Sequence, residues 1–192
     1  MREPTHRGQL EAFMNFALSR ILVPVDFSPY SELALRYATA LASRLGASVE
    51  LLHVVEDPIA TGAWGSEISI PDVSELRKNL IAEAERRLER YCAVAEGPRV
   101  PVVTTVRMGQ PAHTITEYAQ AGGADLIVMG THGRSGLAHL VMGSVAERVV
   151  RHALCPVLTL HEGTIRDKKQ STLTAEPAAL GSALGHLGIS RE

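Results

Sequence analysis

Asp125-Leu126-Ile127-Val128-Met129-Gly130-Thr131-His132-Gly133-Arg134-Ser135-Gly136, completed by Gly143-Ser144, is the stretch on which the fold turns. Residues 125–129 form the short apolar run expected of a strand covered on both faces. The run breaks at Gly130 into a glycine-rich turn, and Gly143-Ser144 opens a helical pattern reaching Ala153. A strand that ends in such a turn and feeds a helix is the repeating unit of an open parallel α/β sheet. In that architecture ligands collect outside the carboxyl ends of the strands.

The same alternation extends in both directions. Ile21-Leu22-Val23-Pro24-Val25 predicts a first strand, with Pro24 near the end where the chain leaves the sheet. Ser28-Pro29 is a helix start, Glu32 complements its positive end, and Gly46 stops the helix. Leu33, Tyr37, Leu41 and Leu45, with Ala34, Ala38 and Ala42 beside them, are expected to make its buried stripe. Val49–Val55 is a second strand, residues 57–71 a Gly- and Pro-bearing loop, and 73–93 a long helix. That helix turns Leu76, Leu80, Ala84, Leu88 and Tyr91 inward and carries Glu83 and Arg87 as an i,i+4 pair on its wet side. Val100–Val106 is a third strand, Pro111–Ala121 a helix, and Pro156–Leu160 a last strand. Five strands alternating with four helices through right-handed crossovers give one open, mostly parallel sheet with helices on both faces.

Composition narrows the function classes. The hydrophobic fraction of 45% and the charged fraction of 21% are those of an ordinary globular domain, and 192 residues suffice for one such core. A net charge of −2 argues against a polybasic nucleic-acid or membrane-surface binder. No apolar run reaches the ~20 residues of a membrane span. Two cysteines without a CxxC partner, Cys92 and Cys155, read as small buried hydrophobes and suit a reducing, cytoplasmic setting. Residues 1–18 are expected to be a flexible extension, with Met14 as an alternative start, and 163–192 a flexible polar tail.

The glycine cluster carries the chemistry. Glycines let backbone approach a ligand closely, and exposed N–H groups at the Gly143-Ser144 helix start can receive phosphate oxygens. The Ser144 hydroxyl and the Arg134 guanidinium add donors. A Walker A loop is excluded, because it needs a Lys and none lies between Lys78 and Lys168. A GxGxxG dinucleotide turn is excluded too, since the first strand ends in Asp26-Phe27-Ser28-Pro29. Asp26, at a strand's carboxyl end, is a candidate ribose ligand, although an Asp before Ser-Pro also suits a pure turn. His132 is either a phosphate donor or a solvated loop residue, and His53, inside a strand, reads as structural.

Gly130-x2-Gly133-x9-Gly143-Ser144 resembles the nucleotide motif of the universal stress protein family, G-x2-G-x9-G-[ST], at every fixed position. Ile21–Ser28, Leu51-Leu52-His53-Val54, Ala124–Gly130 and Cys155-Pro156-Val157-Leu158 are similar to the strands and turns of that family, so the likeness runs from about residue 19 to 162. The resemblance implies a Rossmann-like, adenine nucleotide α-hydrolase-like sheet of order 3-2-1-4-5. It also implies ATP as ligand, with or without Mg2+, and a protein that is often dimeric; strand 156–160, an uncharged edge in that order, is the expected homodimer contact. By position, Pro24, Val25 and Asp26 would flank the adenosine, Val54 would meet adenine through its backbone, and Met129 would line the base side. Gly130, Thr131, His132, Gly133, Arg134, Ser135 and Gly136 would surround the phosphates, and Gly143, Ser144 and Val145 would close the site. The function implied is nucleotide-dependent regulation or stress resistance. The competing reading is an ATP-consuming enzyme of the same fold group with slow hydrolysis or adenylation. Adenylating relatives carry a Ser-Gly-Gly-x-Asp-Ser loop, which the first strand here does not lead into. An aromatic content of 4% argues against a flavin carrier, and no nucleophile–base pair or metal cluster stands at motif spacing.

Overall fold

The computed structural model describes residues 17–57, 73–92, 100–131 and 142–161. Among them five strands alternate with four helices: β1 (Arg20–Pro24), α1 (Pro29–Leu45), β2 (Ser48–Val55), α2 (Val73–Cys92), β3 (Val102–Met108), α3 (Pro111–Gly122), β4 (Leu126–Gly130), α4 (Ser144–His152) and β5 (Val157–Leu160). They form one parallel sheet in the order β3-β2-β1-β4-β5. The described residues all fall in one unit that ends at His161. The expected loop at 57–71 and the two terminal segments lie, except for residues 17, 18 and 57, outside the described residues.

The central strands explain why one sheet holds two cores. Successive side chains alternate faces, so Ile21 and Val23 enter a core with Val49, Leu51 and the α1 residues Ala34, Leu35, Ala38 and Ala42. Leu22 faces the other way and joins Leu52, Ile127, Met129, Ile115 of α3 and Val149 of α4. The apolar runs of β1 and β4 are continuous because both their faces are covered.

Helix α1 starts where the sequence requires it. Ser28 has an extended backbone (φ −81°, ψ 162°) and its hydroxyl accepts the Ser31 N–H at 3.2 Å. Gly46 ends the helix at φ +73°, a conformation that costs a residue with a Cβ. The buried stripe, however, is the line Ala34, Leu35, Ala38 and Ala42, while Tyr37 and Leu45 are 39% and 50% exposed. Alanines let the helix axis lie close to the sheet, so the alanine line goes deepest and Leu33 and Leu41 pack at its margin.

Two further expectations shift. Strand β3 begins at Val102 and reaches Met108, two residues later than the apolar pattern suggests. Pro101 has no N–H and contributes only its carbonyl, to the Val49 amide at 2.9 Å. From there the register runs from Val49 opposite Val102 to Val55 opposite Met108. Arg107 is tolerated because β3 is an edge strand with a wet side. On α2, Glu83 pairs with Arg86 at 2.8 Å, and Arg87 instead lies over the Phe27 ring, 4.2 Å from its centroid.

Candidate functional site

The sheet order reverses at β1, since β2 follows on one side and β4 lies on the other. A cleft of about 310 Å3 opens at the carboxyl ends of these strands. Such a switch point lets the loops after two adjacent strands diverge and leaves room for a ligand between them.

Each wall is built by local chemistry. The end of β1 supplies Pro24, Val25 and Asp26. The Val25 amide donates to the Leu52 carbonyl at 2.9 Å, extending the strand pairing, and the Val25 carbonyl accepts His53 Nδ1–H at 2.7 Å. Asp26 Oδ1 accepts the Ser28 amide at 3.0 Å, an Asx turn that sets up the start of α1. Asp26 thus makes the turn and also lines the cleft. Phe27, next in sequence, has φ +64°, a left-handed backbone that a bulky residue adopts only when its surroundings hold it. Its ring lies 4.4 Å from the His53 ring and 5.5 Å, edge-on, from Tyr91.

The end of β2 adds Leu52, His53, Val54 and Glu56, and the first turns of α1 and α3 add Ser31, Pro111 and Ile115. Leu52, Ile115, Met129 and Ala146 are buried and give the cleft an apolar floor. Behind Ser31, its hydroxyl meets the Tyr91 hydroxyl at 3.1 Å and donates to the Ser28 carbonyl at 3.0 Å. Burial pushes the Tyr91 phenol up to about 12, against a smaller opposing effect of its hydrogen bond to Ser31.

The opposite wall comes from β4 and α4. Thr131 is anchored: its amide donates to the Leu160 carbonyl at 2.8 Å and its hydroxyl to the same oxygen at 3.2 Å. Gly143 is the N-cap of α4, and its amide donates to the Thr131 carbonyl at 2.7 Å. Its N–H is therefore engaged, a correction to the expectation that it faces phosphate. Helical geometry leaves the amides of Ser144, Val145 and Ala146 without intrahelical acceptors, and they mark the positive end of a helix dipole.

Of the residues expected from sequence, Pro24, Val25, Asp26, Val54, Met129, Gly130, Thr131, Gly143, Ser144 and Val145 come together around this cleft. His132, Gly133, Arg134, Ser135 and Gly136 lie outside the described residues. Ser31, Glu56, Pro111 and Ile115 were not foreseen, and His53, foreseen as structural, also lines the cleft. Among the described residues no group of three or more His, Cys, Asp or Glu side chains could hold a metal ion. None of the described helices is long and apolar enough to cross a membrane. Cys92 and Cys155 are half-buried, and burial pushes both thiols up, away from thiolate reactivity.

Residues 18–161 match the model of the universal stress protein family. The chain belongs to that family. Among its relatives, a universal stress protein of Methanocaldococcus jannaschii is 38% identical over 146 residues, covering 73% of this chain and 81% of its own. In structure, the universal stress protein UspA from Lactobacillus plantarum superposes with a TM-score of 0.62 at 32% identity, over 77% of this chain and all of the other. At the level of fold alone, the universal stress protein from Archaeoglobus fulgidus in complex with dAMP aligns at 23% identity with a TM-score of 0.53, over 76% of this chain and 100% of that one. The strand order read from the resemblance is thus the order of this universal stress protein's sheet.

Proposed function

We propose that this universal stress protein binds ATP in the cleft and acts as a nucleotide-dependent regulatory or stress-resistance protein. One observation carries the reading. A carboxylate at the end of β1, an apolar floor and the N-terminus of α4 line the same cleft at the switch point of the sheet. Those are the three surfaces that ribose, purine and phosphate need.

The residues fit the parts of the nucleotide. Adenine would lie on Leu52, Ile115 and Met129, with the Val54 backbone at its edge. Asp26 would accept from the ribose hydroxyls. The phosphates would take the first-turn amides and hydroxyl of Ser144, together with Gly130, Thr131 and the run His132, Gly133, Arg134, Ser135 and Gly136. Mg2+, where present, would be held by the phosphate oxygens, because the described side chains offer no ready-made cation cluster. The dAMP bound by the Archaeoglobus fulgidus protein supports an adenine nucleotide as the ligand class. A second copy paired along strand 156–160 completes the proposal.

Calorimetric titration with ATP, ADP, AMP and GTP, with mass spectrometry of nucleotide released from purified protein, tests it. ATP should bind more tightly than GTP, and adenine nucleotide should co-purify. A protein that binds neither ATP nor ADP at millimolar concentration would end the reading. For a binding rather than a turnover site, phosphate release should fall far below the ~10 s⁻¹ of a typical enzyme.

A further inference from the structure

The nucleotide reading gives Asp26 a task but leaves open how a short turn holds its carboxylate still. The residues on either side of Asp26 are both gripped by one side chain. His53, on the neighbouring strand β2, donates Nδ1–H to the Val25 carbonyl at 2.7 Å, and its ring lies 4.4 Å from that of Phe27. A carbonyl oxygen can only accept, so Nδ1 carries the proton whether the ring is neutral or charged. Val25 is 4% exposed, so loss of this donor would leave its carbonyl poorly compensated by water. Phe27 has φ +64° and directly follows Asp26, which lines the cleft. The Phe27 ring also meets Tyr91 edge-on and the Arg87 guanidinium, both of α2.

From this bracketing we infer that His53 is a positioning residue for Asp26: it holds the Val25 carbonyl on one side and the Phe27 ring on the other and so sets the place of the carboxylate in the cleft. The inference rests on the nucleotide reading for its consequence, and on the Val25, Phe27 and His53 geometry for its cause. The Asx turn is the local reporter, because Asp26 Oδ1 accepts the Ser28 amide only when Asp26 is correctly placed. The two grips are also separable. Asn at position 53 can place an amide N–H near the Nδ1 site, whereas Phe keeps the ring contact and loses the donor.

The test uses the full chain with His53→Phe, His53→Asn, Asp26→Asn, Asp26→Ala and the His53→Phe/Asp26→Asn double variant. Without nucleotide, hydrogen exchange at the Ser28 amide should quicken by about tenfold or more in His53→Phe and stay near wild type in His53→Asn. With ATP, His53→Phe should weaken binding by about tenfold, with little further loss once Asp26 is already Asn. For 2′,3′-dideoxy-ATP, which lacks the ribose hydroxyls, His53→Phe and wild type should bind alike. Unchanged Ser28 protection in His53→Phe, additive losses in the double variant, or equal losses for ATP and its dideoxy analogue would each overturn the inference. If His53→Phe does not fold, His53→Asn decides: a Ser28 amide as unprotected as in Asp26→Ala, which lacks the acceptor, refutes it. Failure of wild type to bind ATP, with the Ser28 pattern as expected, refutes the nucleotide reading and leaves the positioning intact.

Discussion

The Thr131 carbonyl accepts the Gly143 amide at 2.7 Å, so the residue that follows β4 is tied directly to the N-cap of α4. Thr131 is itself tied to Leu160 at the end of β5. The start of α4 is thereby fixed against two strands. Its anion-receiving groups are narrowed to the amides of Ser144, Val145 and Ala146 and the exposed Ser144 hydroxyl.

That narrowing makes Ser144 the sharpest probe of the phosphate end. A hydrogen bond to a charged group contributes about 1.5–3 kcal/mol, so Ser144→Ala should weaken ATP by about tenfold or more. AMP, whose single phosphate has other donors nearby, should lose less. Melting temperature should stay within a degree or two, because the residue is exposed and the N-cap is Gly143. Titration of both nucleotides against both proteins measures it, and an equal loss for AMP and ATP would place Ser144 elsewhere.

Gly109, between β3 and α3, stands where a Cβ would meet Thr114 Oγ1 at 2.5 Å, whereas Thr114 Cβ is 3.8 Å away. Gly109→Ala should therefore destabilise by about 1–3 kcal/mol. For a chain of this size that is roughly 2–10 °C in melting temperature. Thr114→Ala removes the offending oxygen and should restore only part of the loss, because Gly109 also has φ +156°, which any residue with a Cβ adopts at a cost. Thermal melts of the two single variants and the double variant check the pair, and no rescue in the double variant would mean that backbone rather than side chain resists the substitution.

Tyr91 predicts an alkaline transition. Its folded phenol is pushed up to about 12 by burial, above the ordinary value of 10.0. Between these values the unfolded chain loses the proton first, so it binds fewer protons than the folded one and stability falls as pH rises. The stabilisation is complete below pH 10 and is lost through about pH 12. Tyr91→Phe should flatten that part of the profile while lowering stability at neutral pH, because the hydroxyl contacts to Ser31 and Ser28 disappear. Tyrosinate absorbance followed alongside unfolding would show it, and an identical alkaline slope in Tyr91→Phe would assign the transition to other groups.

The sheet was readable because β1 and β4 are covered on both faces and so appear as short apolar runs, while β2 still shows Val49, Leu51 and Leu52 around Glu50 and His53. The edge strand β3 was readable only approximately, since none of its residues is fully buried and Arg107 interrupts the apolar pattern. The depth of α1 was misjudged because four large residues outweigh small ones in a periodicity reading, whereas contact with a flat sheet favours alanine. At the cleft, glycines and Asp26 announce themselves at strand ends. Pro111 and Ile115 reach it only through the crossover from β3 to α3, and no local pattern marks them. Two signals did point further than they were followed. Ser31 stands in the first turn of the helix that Ser28 caps, and His53 immediately precedes Val54 at the cleft end of β2.

Dimerisation through the last strand is the remaining expectation. β5 is four residues long, contains no charge and forms one edge of the sheet. Pro156, just before it, turns its carbonyl inward to the Ile127 amide at 3.0 Å, so it does little to block a neighbour along Val157–Leu160. In the segment leading into this strand two apolar residues, Val150 and Leu154, are 46% and 79% exposed. A second copy offering the same strand antiparallel would pair both rows of backbone groups and cover those side chains by one self-complementary contact. Leu158 is a poor place to break it, since the side chain packs partly against the core beneath the sheet and Lys there would also weaken the fold. Leu154→Lys leaves the core alone. Light scattering across a concentration series should show a dimer for wild type at micromolar concentration and a monomer, with unchanged melting of the core, for Leu154→Lys. A wild-type protein that stays monomeric throughout would remove β5 as an interface, and a Leu154→Lys dimer of undiminished affinity would move the contact away from this end of the strand.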